Sequence, residues 1–285
     1  MKVIRRSGTG FGWGINCYDG CEHGCLYCYG RRARWKKYED WIKPVLRLQI
    51  LSDINKDIQE IQQNPQMKNE IRDIMICSIT DGYQPLELQH RITRNVIQIL
   101  RNADLPFTLL TKNVNVLGDL SLFQGYNKCR VGFTIITLND KFRRLLEPNT
   151  SPIKERCQAL ETLKKAGINT YCSIEPIISD KRSNPIAIVR RLKDYVDLFE
   201  FGKLNPKGKQ ELEYKTGISY NEGYYIKVFS DLIPFCEQEG ISYCIASHSE
   251  KFLKSHGFRF IPYQLVTDIP YPKPTDGDYN RCAIL

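Results

Sequence analysis

The chain has 285 residues, 42% of them hydrophobic and 26% charged, with a net charge of +9 from 41 basic and 32 acidic side chains. Such proportions are close to globular averages and exclude a chain built of long disordered arms, while no apolar run approaches the roughly 18 residues of a membrane span. The length fits one large domain of the α/β barrel kind, and the basic excess favours anionic partners such as nucleic acids or phosphorylated substrates.

Residues 1–12 carry glycine at positions 8, 10 and 12 and read as a flexible lead-in, and the charged start has no apolar segment after it that would make a signal peptide. Trp13 to Cys17 is the first predicted strand, delivering a cysteine-rich loop at its C-terminal end, where Gly20 and Gly24 permit a tight bend. A basic and aromatic segment, Arg31 to Lys37 with Trp35, Tyr38 and Trp41, comes next. Val45 to Gln63 then places Leu46, Ile50, Ile54, Ile58 and Ile61 at three- and four-residue steps, the pattern of an amphipathic helix.

From Ile71 a strand and helix alternation repeats. Strands are predicted at 71–80, 107–111, 130–137, 170–178, 198–204 and 241–246, and helices at 93–102, 117–123, 153–166, 185–195 and 224–238. That alternation implies a parallel sheet with crossover helices, and functional residues of such folds gather where the strands end. One α/β domain is expected over 1–247, followed by an irregular tail, 248–285, holding four prolines.

The chemistry concentrates in Cys21-Glu22-His23-Gly24-Cys25-Leu26-Tyr27-Cys28. Thiolates are soft ligands for zinc, copper(I) or iron-sulfur clusters, and three within eight residues point to a metal site. A 4Fe-4S cluster held by three thiolates keeps one iron open. Two other readings stand beside it: a structural zinc site completed by Cys17 or His23, and an electron carrier whose fourth thiolate is Cys17. Without an export signal, the eleven cysteines are expected to be reduced, in a cytoplasmic protein. Cys77, Cys172 and Cys244 in strand-like runs, and Cys157 and Cys236 in helical ones, read as packing residues; Cys129 and Cys282 are unassigned.

The Cys-x3-Cys-x2-Cys spacing, with Tyr27 before the third cysteine, resembles the radical S-adenosylmethionine (SAM) enzymes, and Asn16 to Gly30 resembles their spore photoproduct lyase-like branch. The resemblance covers roughly residues 13–205 and implies a partial (β/α) TIM-like barrel of about six to seven parallel strands. It implies that Cys21, Cys25 and Cys28 hold a 4Fe-4S cluster whose open iron binds SAM, and that an external flavodoxin- or ferredoxin-like reductant supplies the electron that releases a 5′-deoxyadenosyl radical. By the same resemblance Tyr27, Thr80, Lys112 and Thr134 contact SAM. Ser78, Asp81, Glu147, Arg156 and Glu175, at or near strand ends, are candidates for substrate or SAM contacts. No protein nucleophile is implied.

One departure bears on substrate. Where spore photoproduct lyase has a hydrogen-donating cysteine this chain has Ser78, and an alcohol O–H bond is too strong to serve a carbon radical well. The substrate is therefore left among nucleic acid, peptide and metabolite. The rival reading is a non-enzymatic iron-sulfur or zinc protein that binds nucleic acid through residues 31–37.

Overall fold

The computed structural model describes residues 2–6 and 12–260. Its strands, in chain order, are β1 (Arg5–Arg6), β2 (Trp13–Ile15), β3 (Tyr18–Asp19), β4 (Val45–Leu46), β5 (Ile74–Ile76), β6 (Phe107–Thr111), β7 (Cys129–Thr134), β8 (Asn169–Ile177), β9 (Leu198–Lys203) and β10 (Tyr243–Ile245). Eight of them form one sheet in the order β1-β2-β5-β6-β7-β8-β9-β10, and β3 pairs with β4 in a separate ribbon. All neighbours from β2 to β10 run parallel, and β1 alone is antiparallel, along β2. The parallel sheet is what the alternation implies, and seven parallel strands in an unclosed sheet match the partial barrel that the resemblance implies.

Parallel strands covered by crossover helices are apolar on both faces. Ile74, Ile76, Phe107, Leu109, Val131, Phe133, Ile174 and Phe201 are accordingly sealed from solvent. Against them pack the helices Ile50–Gln63, Ile92–Asn102, Ile153–Lys165, Pro185–Leu192 and Glu222–Gln238, each within a few residues of its predicted span. The five cysteines read as packing residues are all buried, as is Cys129, while Cys282 lies outside the described residues, as do residues 1 and 7–11 of the glycine-rich lead-in. The rest of that lead-in is not the flexible segment expected: Arg5 and Arg6 form β1, and the buried Val3 and Ile4 donate their N–H groups to Asp57.

Three other predicted elements differ from the observed ones. The helix expected from Val45 starts only at Ile50, because Val45 and Leu46 pair with Asp19 and Tyr18. The strand expected to reach Thr80 stops at Ile76: Cys77 adopts φ 59°, which breaks the alternation that was to put Ser78 and Thr80 on one face. The irregular tail expected from 248 begins instead as a helix, Ser247–Ser255, anchored by the buried Leu253; the tail from 261 onward lies outside the described residues.

Candidate active site

The cysteine loop leaves the C-terminal end of β2 and is fastened from two sides. Glu22 N–H donates to Gln84 Oε1 at 2.9 Å while its own carboxylate accepts from Leu86 N–H at 2.6 Å. On the other side Leu26 N–H donates to the Leu146 carbonyl at 2.9 Å, and Asn149 Nδ2 donates to the Glu22 carbonyl at 2.8 Å. Gly20 and Gly24 have φ of 118° and 63°, so the bend uses the backbone freedom expected of them.

Inside this frame lies a cavity of about 140 Å3 at the C-terminal ends of the strands. Cys21, Cys25 and Cys28 border it together with Tyr27. From β5 onward come Ser78, Thr80 and Asp81, then Lys112 after β6, Thr134 ending β7, and Glu175 on β8. The Lys112 ammonium lies 3.3 Å from Thr134 Oγ1 and 5.9 Å from the centre of the Tyr27 ring. Burial works to lower its pKa, but Cys25, Glu147 and Asp81 outweigh burial and raise it, so Lys112 is a firmly held cation.

Asp81 is the hub of this end. Its carboxylate accepts from Tyr83 N–H at 2.8 Å, Thr111 Oγ1 at 2.6 Å and Lys112 N–H at 2.9 Å, and stands 3.3 Å from His23 Nδ1. Burial pushes its pKa up, yet His23, Thr111 and Lys112 together hold it well below the usual carboxylate range.

Glu147 and Arg156 are drawn together but do not border the cavity. They form a fully buried ion pair at 2.7 Å behind Tyr27, whose hydroxyl donates to Glu147 Oε1. Arg156 also donates to the Thr134 carbonyl at 2.9 Å, so the pair props two cavity residues from the rear. Both were candidates for substrate or SAM contacts; the structure shows them paired with each other instead of bordering the cavity.

Glu175 belongs to a different group. It neighbours Glu200 of β9, which accepts from Tyr171 and from Ser173 Oγ at 2.9 Å, and its Oε1 is 3.3 Å from His248 Nδ1. Burial pushes Glu175 up to about 7, with Lys112 pulling against it. Burial and the Glu175 charge push Glu200 up to about 8. His248 Nε2 sits 2.7 Å from the Lys203 carbonyl and donates there, which turns Nδ1 toward Glu175. Sequence reading missed Glu200 and His248, although a lone carboxylate between Phe199 and Phe201 was a usable signal.

The residues fit a polynuclear cluster better than a single ion. Cys17 lies apart from the other three, its N–H donating to Cys77 Sγ at 3.4 Å in the core. Among the described residues no three His, Cys, Asp or Glu side chains converge on a point that one metal ion would occupy. A cluster takes one thiolate per iron and suits thiols that share a cavity without converging. Burial raises the pKa of Cys21, Cys25 and Cys28, as it does for the packing cysteines Cys172 and Cys244. Two buried polar atoms on the cavity wall, His23 Nε2 and Thr80 Oγ1, have no hydrogen-bond partner among the described residues and so fit a polar ligand there.

The Radical SAM superfamily model matches residues 15–181. An uncharacterized protein of Methanocaldococcus jannaschii is 31% identical over 214 residues, covering 74% of this chain and 78% of its own. An uncharacterized protein of Acidianus two-tailed virus is 25% identical over 214 residues, covering 71% of this chain and 70% of its own. Among solved structures, a cysteine-to-serine mutant of spore photoproduct lyase has a TM-score of 0.65 at 16% identity, covering 86% of this chain and 79% of that one. SuiB of Streptococcus suis bound to S-adenosylmethionine has a TM-score of 0.60 at 12% identity, covering 81% of this chain and 49% of that one. At such identities the solved structures speak for the fold alone. With the family model spanning more than half its length, this chain belongs to the radical SAM superfamily.

Proposed function

We propose that Cys21, Cys25 and Cys28 hold the 4Fe-4S cluster of this radical SAM enzyme and that the adjoining cavity holds SAM. The observation that carries this reading is the meeting of the three thiols with the Lys112 cation and the Thr134 hydroxyl around one buried cavity. When bound, cluster and SAM supply a 5′-deoxyadenosyl radical that abstracts hydrogen from the substrate. The protein's part is to bind, orient and exclude water.

In this reading Lys112 pairs with the SAM carboxylate and Thr134 with its methionyl or ribose end, while Tyr27 packs beside the adenine. The free Thr80 hydroxyl is one more contact for the cofactor. Ser78 borders the cavity, and its carbonyl accepts the Tyr29 hydroxyl at 2.5 Å. The Cys77 thiol accepts from Cys17 N–H at 3.4 Å, and Cys77 too borders the cavity beside Ser78. The carrier reading, which needs Cys17 beside the cluster thiols, finds less support, since Cys17 is buried against Cys77; the zinc reading keeps His23, which borders the cavity with the three thiols, but no converging donor set is found for it among the described residues. Among the relatives in fold, spore photoproduct lyase has been solved with a dinucleoside spore photoproduct and SuiB with its precursor peptide SuiA. Nucleic acid and peptide are therefore both retained for the substrate, with small metabolites.

Anaerobic reconstitution followed by dithionite reduction tests the reading. Electron paramagnetic resonance is expected to show a reduced cluster signal that SAM perturbs, with 5′-deoxyadenosine formed. Alanine at Cys21, Cys25 or Cys28 abolishes both, whereas Cys17→Ala keeps both. Wild-type deoxyadenosine formation by any of the first three variants removes that residue from the cluster.

A further inference from the structure

A second hollow adjoins the cysteine loop, and nothing in the reaction so far uses it. It is a groove of about 910 Å3 whose lining shares no residue with the cavity. The chain alternates between the two. Cys25, Tyr27, Cys28 and Tyr29 face the cavity, while Leu26 and then Arg31 face the groove. One thickness of polypeptide thus separates the thiols from the outer surface.

The groove is strongly cationic. Arg31, Arg32, Lys36, Lys37, Lys207 and Lys215 line it against only Glu39 and Glu211, and Glu211 is taken up by Arg31 at 3.0 Å. Lys36 is paired with Asp19 at 2.8 Å, which leaves Arg32, Lys37, Lys207 and Lys215 as the cations turned outward. Trp35 stands on its edge, 95% exposed among the described residues, as an outward apolar contact. The two walls are locked together where Gly208 meets the loop: a β-carbon there would lie 2.2 Å from the Tyr27 carbonyl oxygen.

We propose that this groove is the docking surface for the external one-electron reductant, an acidic protein of the flavodoxin or ferredoxin type, with the electron entering on the Leu26 side of the loop. The proposal rests on the cluster assignment of the preceding section. A nucleic acid suits the same charge, but the radical forms in the cavity, and a substrate laid in the groove would be on the wrong side of the locked wall. An electron needs only proximity, and a single electron passes from the reduced carrier to the cluster with no bond made or broken. Complementary charge speeds such encounters and aligns them.

The test is the triple variant Lys37→Glu/Lys207→Glu/Lys215→Glu, three exposed residues that line the groove and not the cavity. Flavodoxin binding is measured by calorimetry on metal-free and reconstituted protein, and deoxyadenosine formation is driven in parallel by reduced flavodoxin and by dithionite. At low salt, flavodoxin binding and flavodoxin-driven turnover are expected to fall by at least about tenfold. The gap narrows as salt rises, and dithionite-driven turnover stays at the wild-type level. Unchanged flavodoxin binding and turnover would overturn the proposal, as would an equal loss with both reductants. Loss confined to binding of a single-stranded oligonucleotide would reassign the groove to nucleic acid. A wild-type enzyme making no deoxyadenosine with dithionite would defeat the cluster assignment instead, while loss of flavodoxin binding by the metal-free variant would still identify the surface.

Discussion

Arg156→Met isolates what the buried ion pair contributes. Methionine keeps much of the arginine stem but removes the guanidinium, which is fully buried and bonds Glu147 at 2.7 Å, the Ser151 carbonyl at 2.8 Å, the Thr134 carbonyl at 2.9 Å and the Thr150 hydroxyl. Burial alone would raise the Glu147 pKa, and Arg156 is the first of the groups that instead lower it. Removing one partner of a buried pair destabilises a fold by about 3–5 kcal/mol, because the other charge stays buried. Against a total stability of about 5–15 kcal/mol that is a large share. For a urea dependence of about 2–3 kcal/mol per molar, the midpoint should fall by about 1–2.5 M. Equilibrium urea unfolding of metal-free protein under reducing conditions, followed by circular dichroism, measures it. Arg156→Met/Glu147→Leu should recover much of the loss by removing the stranded carboxylate. A single-variant loss under about 1 kcal/mol, or a double variant no better than the single, would refute the reasoning.

Lys112→Met should weaken SAM binding about ten- to a hundredfold, since a hydrogen bond to a charged group contributes about 1.5–3 kcal/mol. Calorimetry with reconstituted enzyme checks it, and unchanged affinity would remove Lys112 from the cofactor site. The Glu175 and Glu200 pair sets a pH dependence of opposite sign to that of an ordinary paired carboxylate. Both pKa values are raised on folding, to about 7 and about 8, so from about pH 4.5 upward the folded state binds more protons than the unfolded one, and stability falls as pH rises toward 8. The slope is at most about 1.4 kcal/mol per pH unit for each group, and Glu200→Gln should flatten it. A metal-free wild-type protein equally stable at pH 5 and pH 8.5 would contradict the burial argument.

Much of this was legible because periodicity and spacing are local signals. The crossover helices follow from apolar residues at three- and four-residue steps, and the cysteine loop from eight consecutive residues. What the sequence hid was decided by contacts between distant residues. Nothing around Cys77 announces its left-handed backbone, which redirects Ser78 and Thr80. Glu147 and Arg156 are nine residues apart and sat on one list with Glu175, yet the first two are interlocked behind Tyr27 and the third looks onto Glu200 and His248. Lys207 and Lys215 join the basic segment 31–37 only because Gly208 lets the two stretches touch.

Asp81 binds three pieces of chain into one unit: the cysteine loop through His23, its own turn through Tyr83, and the end of β6 through Thr111 and Lys112. Its carboxylate therefore couples the order of the metal-binding loop to the pose of the lysine across the cavity. Coupling of this kind is reciprocal. On the proposed assignment of the cysteine loop to the cluster and of Lys112 to SAM, whatever factor cluster assembly adds to SAM affinity by steadying Lys112, SAM returns as protection of the cluster against loss of iron, so a cell short of SAM would also find this enzyme harder to keep metallated.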